Sequence, residues 1–372
     1  MTWFGSEKSW GEGRTYQQVA EHLAVLPEVN RVIMTFPPKN TGREFNWPLK
    51  IKHISNKLSL VSEYTNVIPT TGLAYQLRTK INTLVNAYSL PFYLRLLGFR
   101  KDNSLLWVFP PHPYIDALRK RIPHCLLVGH IVDNFLYTSD PWLKEYAEQQ
   151  YPMIKDLSDV IIVGSKFNEN TFSGSRATTL LFENAVDKSF ISPPSKTPRA
   201  INSTIKLGYI GTLSDRTDFD LLEYLAKNRP DWHFIIAGKS ELPLEELSFL
   251  KLPNVEYKGL LPYQSLPALM YSFDVCLIPH RNTTYCKSMS PLKLFQYLAS
   301  GRPIVSTDIE GLDIVKHHLQ IASSYSHFMS LVQQTLEQDT IEMSASRIEC
   351  AKQQTWDLKT REMFNEVITK VP

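Results

Sequence analysis

From residue 206 onward, short apolar runs alternate with segments whose apolar residues recur at helical spacing. Lys206–Ile210 predicts a strand ending at Gly211, and Asp218–Asn228 a helix. Trp232–Ala237 predicts a strand ending at Gly238, and Val255–Lys258 a short strand ending at Gly259. Ser265–Phe273 predicts a helix, and Asp274–Ile278 a strand ending at Pro279. Pro291–Ser300 predicts a helix closed by Gly301, and Pro303–Ser306 a strand. Apolar strands too short to span helices, separated by amphipathic helices, predict a parallel α/β sheet with right-handed crossovers, a Rossmann-like unit.

The first half carries a similar but less regular pattern. Arg14–Leu26 predicts an amphipathic helix, and Arg31–Phe36 a strand stopped by Pro37-Pro38. Leu105–Phe109 (stopped by Pro110-Pro111), Cys125–Val132 and Val160–Val163 predict further strands. Residues 40–101 break the alternation and read as an insertion that faces something other than the core. Ser192–Thr204 holds three prolines and several small polar residues and predicts a linker. The expected organisation is a domain over 1–195, a second over 205–355, and a terminal helix in 356–372 (Trp356–Ile368) returning to the first.

A chain of 372 residues suits two domains. No stretch approaches the roughly 18 apolar residues of a membrane-spanning helix, and the N-terminus lacks a basic-then-apolar leader. Cytoplasmic residence is therefore expected. Cys125, Cys276, Cys286 and Cys350 form no C-x-x-C pair, which predicts reduced thiols and no structural metal. Residues 1–200 carry a net +6 and the remainder −3. Residues 64–101 contain Arg78, Lys80, Arg95, Arg100 and Lys101, no acidic residue, and many Leu, Tyr and Phe. That mixture suits an anionic surface or an ordinary helical pair with snorkelling cations. No nucleic-acid motif accompanies it.

Ser288–Thr307 carries the most chemical information. Ser290 predicts an N-cap and Pro291 the first helical position. The N–H groups of Leu292 and Lys293 then lack intrahelical partners and favour an anion. A phosphate fits there, with Lys293 adding charge. Gln296, one turn deeper on the same face, could bond ribose hydroxyls. The alternative is a capped core helix with one surface lysine.

This segment resembles the nucleotide-binding signature of GT-B glycosyltransferases, especially family 4. Its Ser-Pro-Leu-Lys-x-x-Gln-Tyr form is most similar to xanthan-type glucuronosyltransferases and teichuronic-acid-type transferases. Family 4 often has two glutamates where this chain has Ser288 and Gln296. Family 4 retains configuration and the glucuronosyltransferase group inverts, so both outcomes stay open. The resemblance implies a GT-B fold, two Rossmann-like domains facing across a cleft, and nucleotide contacts from Ser290, Leu292, Lys293 and Gln296. Gly208–Asp218 resembles the first strand and loop of the donor domain. There Gly211 would admit the pyrophosphate and Arg216 reach a phosphate. Asn254–Pro267 is similar to a run that lines the base, with Glu256 and Tyr257 as weaker candidates.

Glycosyl transfer needs a stabilised leaving diphosphate, an activated acceptor hydroxyl and a dry site. Lys293, Arg216 and the helix dipole supply positive charge, so neither a metal nor any other cofactor is implied. Asp133 follows an apolar strand, where parallel sheets bind ligands, and resembles the aspartate proposed as base in the glucuronosyltransferase group. The alternative is a turn aspartate. His130 and His112 are secondary candidates. Arg14, after Trp10-Gly-Glu-Gly, matches an arginine frequent in the family. Glu183–Asp187 resembles an Asn-Gly-Val-Asp run, with Ala185 replacing Gly. The reading is a glycosyltransferase moving a sugar from a nucleotide-linked donor, UDP-linked by resemblance, to a saccharide or polyprenyl-linked acceptor in cell-surface polysaccharide synthesis. Residues 64–101 would then touch the inner face of the membrane. A sugar-nucleotide epimerase and a degenerate binding subunit of a polysaccharide-assembly complex are the competing readings.

Overall fold

Runs such as Val160–Val163 and Val275–Ile278 are buried at every position, as strands covered on both faces must be. The structure, a computed structural model, describes residues 1–3, 10–36, 49–64, 72–110, 112, 115–193, 204–309, 312 and 315–371. It divides into a unit of Met1–Phe182 with Thr360–Pro372, and a unit of Glu183–Lys359.

The first unit contains β1 (Thr2–Trp3), α1 (Thr15–Val25), β2 (Val32–Phe36), β3 (Lys50–His53), β4 (Leu58–Ser62), α2 (Gly72–Leu96) and β5 (Leu105–Phe109). It continues with α3 (Ile115–Arg121), β6 (Leu126–Ile131), α4 (Pro141–Leu157), β7 (Val160–Val163), α5 (Lys166–Phe172) and β8 (Thr178–Leu181). Its sheet runs β3-β4-β2-β1-β5-β6-β7-β8, parallel except for β3 against β4. One face packs Ile33, Val108, Leu127 and Ile161 against Leu90 and Leu94 of α2 and Ile154 of α4. The order reverses between β1 and β5, so the ligand crevice of this unit falls at their carboxyl ends.

Two expectations are corrected here. Within residues 40–101, the described residues 49–64 and 72–101 are not an insertion outside the core: β4 lies inside the sheet, paired with β2 over five residues, and α2 covers the sheet. The alternation was obscured because Ser59 is buried in β4. The division also falls at Phe182, ahead of the proline-rich segment, because Val186 and Phe190 pack into the second core. Residues 194–203 of the expected linker lie outside the described residues.

The second unit contains β9 (Ile205–Ile210), α6 (Phe219–Asn228), β10 (Trp232–Ala237), β11 (Val255–Tyr257), α7 (Leu266–Tyr271) and β12 (Val275–Ile278). It continues with α8 (Thr284–Lys287), α9 (Leu292–Ser300), β13 (Ile304–Thr307), β14 (Gln320–Ala322), α10 (Tyr325–Gln338) and α11 (Ile341–Lys352); α12 (Trp356–Ile368) spans the division at Lys359. The sheet is all parallel in the order β11-β10-β9-β12-β13-β14. Alternate strand residues feed two apolar layers. Leu207, Tyr209 and Phe234 meet Leu221 of α6 and Phe328 of α10 on one face. Ile210, Ile235 and Cys276 meet Leu294 and Leu298 of α9 on the other. The order reverses between β9 and β12, and Gly211 and His280 stand at that edge.

Glu63 follows β4, is fully buried, and its N–H donates to the Phe36 carbonyl at 3.1 Å. Burial pushes its carboxyl from 4.5 up to about 8, with the Thr35 hydroxyl pulling the other way. The native state therefore holds this proton more tightly than the unfolded chain. The associated stability is full below pH 4.5 and is lost as pH rises towards 8. Glu63→Gln is expected to flatten that decline and to stabilise the protein at pH 8 by roughly 4 kcal/mol. Thermal melts of both proteins across pH 5–8 read this out. Parallel curves would show that Glu63 ionises freely in the folded state.

Candidate active site

Three loops meet at the carboxyl edge of the second sheet. Gly211 donates its N–H to the Ala237 carbonyl at 2.9 Å, and Gly238 stands so close that a Cβ on it would lie 2.0 Å from the Gly211 oxygen. Gly238 also has φ +139°, which side chains rarely adopt. A Cβ on Gly211 would lie 2.7 Å from Lys293 Nζ. The glycine expected to admit a pyrophosphate thus also makes room for the ammonium.

Lys293 lies in the first turn of α9. Its Nζ donates to Tyr209 Oη at 3.1 Å and to His280 Nε2 at 2.8 Å, and sits 4.3 Å from the centre of the Tyr209 ring. Among the described residues it has no carboxylate partner. Burial lowers its pKa foremost, and the Arg216 charge lowers it further, while Tyr209 acts the other way. Arg216 donates to Ser214 Oγ at 3.3 Å and to Met289 Sδ at 3.0 Å, and lies over the Tyr285 ring. Two cations that disfavour each other, half out of water, suit an arriving anion.

Helix α9 begins at Leu292, with Pro291 at the cap position and no side-chain cap. The expected capping role of Ser290 is corrected. Its hydroxyl accepts the Asn184 N–H at 2.9 Å, and its carbonyl accepts Asn184 Nδ2 at 2.6 Å. Side chains therefore leave the first N–H groups of α9 unclaimed, which keeps its positive end available. Gln296 is 6% exposed and its amide has no hydrogen-bond partner among the described residues. An amide in that state is left for solvent or a ligand to complete.

The base-lining candidates separate. Tyr257 donates to the Gly238 carbonyl at 2.8 Å and so reaches the glycine pair. Glu256 points the other way, is exposed, and pairs with Lys258 at 2.6 Å. Neighbouring strand residues face opposite sides, so both could not join one site. His280 and Tyr209 were missed from sequence. Their signal was position: His280 is the first polar residue past β12, at the switch point. In the Asp-x-Asp run Asp218-Phe-Asp220, Asp220 is exposed and lies 3.8 Å from Arg281. Asp218 caps α6 through Leu221 N at 3.0 Å and accepts from Tyr325 Oη at 2.8 Å. No cluster of metal-ligating side chains occurs among the described residues.

In the first unit, Asp133 is half-buried just past β6, and its carbonyl accepts from Tyr151 Oη at 3.1 Å. Asn134 caps the following turn through Leu136 N at 3.2 Å and donates to Asn168 at 2.9 Å. His130 is in the core: its Nδ1 accepts from Trp107 Nε1 at 3.3 Å, it stacks on Phe109, and burial pushes its pKa down to about 3. His112 is equally buried and pushed down to about 3, and its N–H donates to Gln150. Neither histidine is presented as an exposed base. Arg14 is engaged by Glu12 at 3.0 Å. The N–H groups of Gly11 and Gly13 are taken by Gln17 Oε1, at 2.8 and 3.2 Å, and so do not face a ligand.

Residues 205–337 match the family of glycosyl transferases group 1. The chain is 28% identical over 339 residues to the Bacillus subtilis (strain 168) protein described as "Putative teichuronic acid biosynthesis glycosyltransferase TuaH", covering 81% of this chain and 79% of the relative. Sucrose-phosphate synthase from Thermosynechococcus elongatus superposes with a TM-score of 0.73 at 13% identity, over 95% of this chain and 92% of that one. Anabaena Alr3699/HepE, solved with UDP and glucose, gives 0.67 at 12% identity, over 99% and 98%. The protein is a glycosyltransferase with the GT-B fold. Its residues 205–337 form a group 1 glycosyl transferase domain, and over most of its length it is similar to TuaH.

Proposed function

We propose that the chain transfers a sugar from a UDP-linked donor to a saccharide or polyprenyl-linked acceptor in cell-surface polysaccharide synthesis. The observation that carries this is the half-buried Lys293 ammonium, without a carboxylate, at the uncapped start of α9 and near Arg216. A diphosphate supplies the missing charge, and the Gln296 amide meets the ribose. Asp133 takes the proton of the acceptor hydroxyl. The acceptor oxygen bonds to the anomeric carbon as its bond to the diphosphate breaks, and UDP leaves with the electron pair, its charge held by Lys293, Arg216 and the helix dipole. The TuaH likeness supports the polysaccharide setting.

Helix α2 supports contact with an anionic membrane. Leu77, Leu84, Tyr88, Phe92 and Leu96 are each more than half exposed and recur at intervals of seven, four, four and four. Lys80 and Arg95 are exposed beside them, and Arg121 lies over Tyr88. Such a stripe lies on a bilayer rather than through it. No helix among the described residues is long and apolar enough to cross one. The test is one incubation: labelled UDP-sugars, the protein, and bacterial membranes or anionic vesicles at low salt. Label is expected to move to saccharide or lipid as UDP accumulates, with the protein sedimenting with vesicles. Label that stays on every donor would refute transfer. Protein left in the supernatant would refute the membrane contact.

A further inference from the structure

His280 stands past the end of β12 and is 4% exposed. Its backbone is anchored independently of its ring: the N–H donates to Thr307 Oγ1 at 3.1 Å, and the carbonyl accepts from that hydroxyl at 2.7 Å. The ring makes one hydrogen bond, accepted at Nε2 from Lys293 Nζ at 2.8 Å, and Nδ1 is buried without a partner among the described residues. An ammonium has only protons to give, so Nε2 accepts and Nδ1 carries the ring proton. Burial, then Lys293 and Arg216, hold the imidazole well below its usual pKa, so it stays a neutral acceptor. A side chain that merely filled this space would be better apolar, because a buried N–H without an acceptor costs free energy. The entire polar use of this imidazole is Lys293. Tyr209 lies against the same ammonium, and Gly211 leaves the space it occupies.

We propose that His280 is a positioning residue of the donor site, whose Nε2 fixes the Lys293 ammonium beside Gly211 in the orientation that meets a diphosphate. This rests on the donor-site reading above. Positional errors of about 1 Å at such a site cost up to about 100-fold. His280→Leu, which removes the acceptor, is expected to raise the Kd for UDP roughly 10-fold while the ligand-free melting temperature holds. His280→Gln, which restores an acceptor oxygen, is expected to bind within about threefold of wild type. If the leucine variant does not fold, His280→Asn, with an acceptor too short to reach Lys293, takes its place. A role in folding alone would lower the melting temperature of the variants and leave Kd unmoved. Equal losses in the leucine (or asparagine) and glutamine variants, or wild-type binding in the leucine variant, overturn the proposal. Wild type and Lys293→Ala are titrated alongside with UDP, GDP and ADP. If those two respond alike, the donor-site reading itself fails. If they differ and His280→Leu follows wild type, only the role of His280 falls.

Discussion

Lys293→Ala is expected to weaken nucleoside diphosphate binding by about 10- to 100-fold, the worth of one charge-assisted contact to a phosphate. The reasoning begins with the cost of keeping the lysine. Its ammonium is drawn out of water and stands near Arg216, and both effects lower its pKa. Tyr209 and His280 offer only a hydroxyl and a neutral ring in return. Removing the charge should therefore leave the ligand-free protein as stable as before, or slightly more so. The loss should appear only with ligand, because a ligand stabilises the native state in proportion to its affinity. Thermal shift with UDP, GDP and ADP reads both quantities at once. A wild-type shift that survives in Lys293→Ala would place the diphosphate elsewhere, and a lower ligand-free melting temperature would make the lysine structural.

Asp133→Asn is expected to lower kcat by about 100- to 10,000-fold while UDP affinity is unchanged. The substitution is isosteric, and the Tyr151 hydrogen bond goes to the backbone carbonyl of residue 133, so that bond survives it. Asn134 cannot take over, because its side chain is committed to Leu136 and Asn168. His130 and His112 are buried and neutral, which leaves Asp133 the most accessible of the three. The readout is turnover against pH with saturating donor. Undiminished turnover would move the base to another residue. Loss of UDP binding along with turnover would show that residue 133 serves the donor instead.

The second unit was legible because most of its strands are short, largely apolar runs that end at Gly211, Gly238 or Pro279, and β13 opens just past Gly301. The first unit was less so, for physical reasons. Burial of a serine in β4 breaks the apolar run, and α2 carries apolar residues on its exposed side and Pro91 within it, which hides the helical stripe. Of the residues that the sequence singled out for the donor, Lys293 lies beside Gly211 and near Arg216, and Gln296 follows one turn further along α9. The sequence could not show that Ser290 is spent on Asn184, a contact across 106 positions. Nor could it show that the histidine after Pro279 turns its ring to Lys293. Such partnerships depend on which loops the topology brings together, and no local pattern records them.

The strap between Asn184 and Ser290 has a consequence for dissecting the molecule. The family match opens at residue 205, and a fragment cut there looks like a natural module. It would lack both hydrogen bonds that hold the turn ahead of α9, along with Val186 and Phe190 from its core. The smallest piece that can keep the second unit intact around Lys293 therefore begins at Glu183, where the chain first joins that unit.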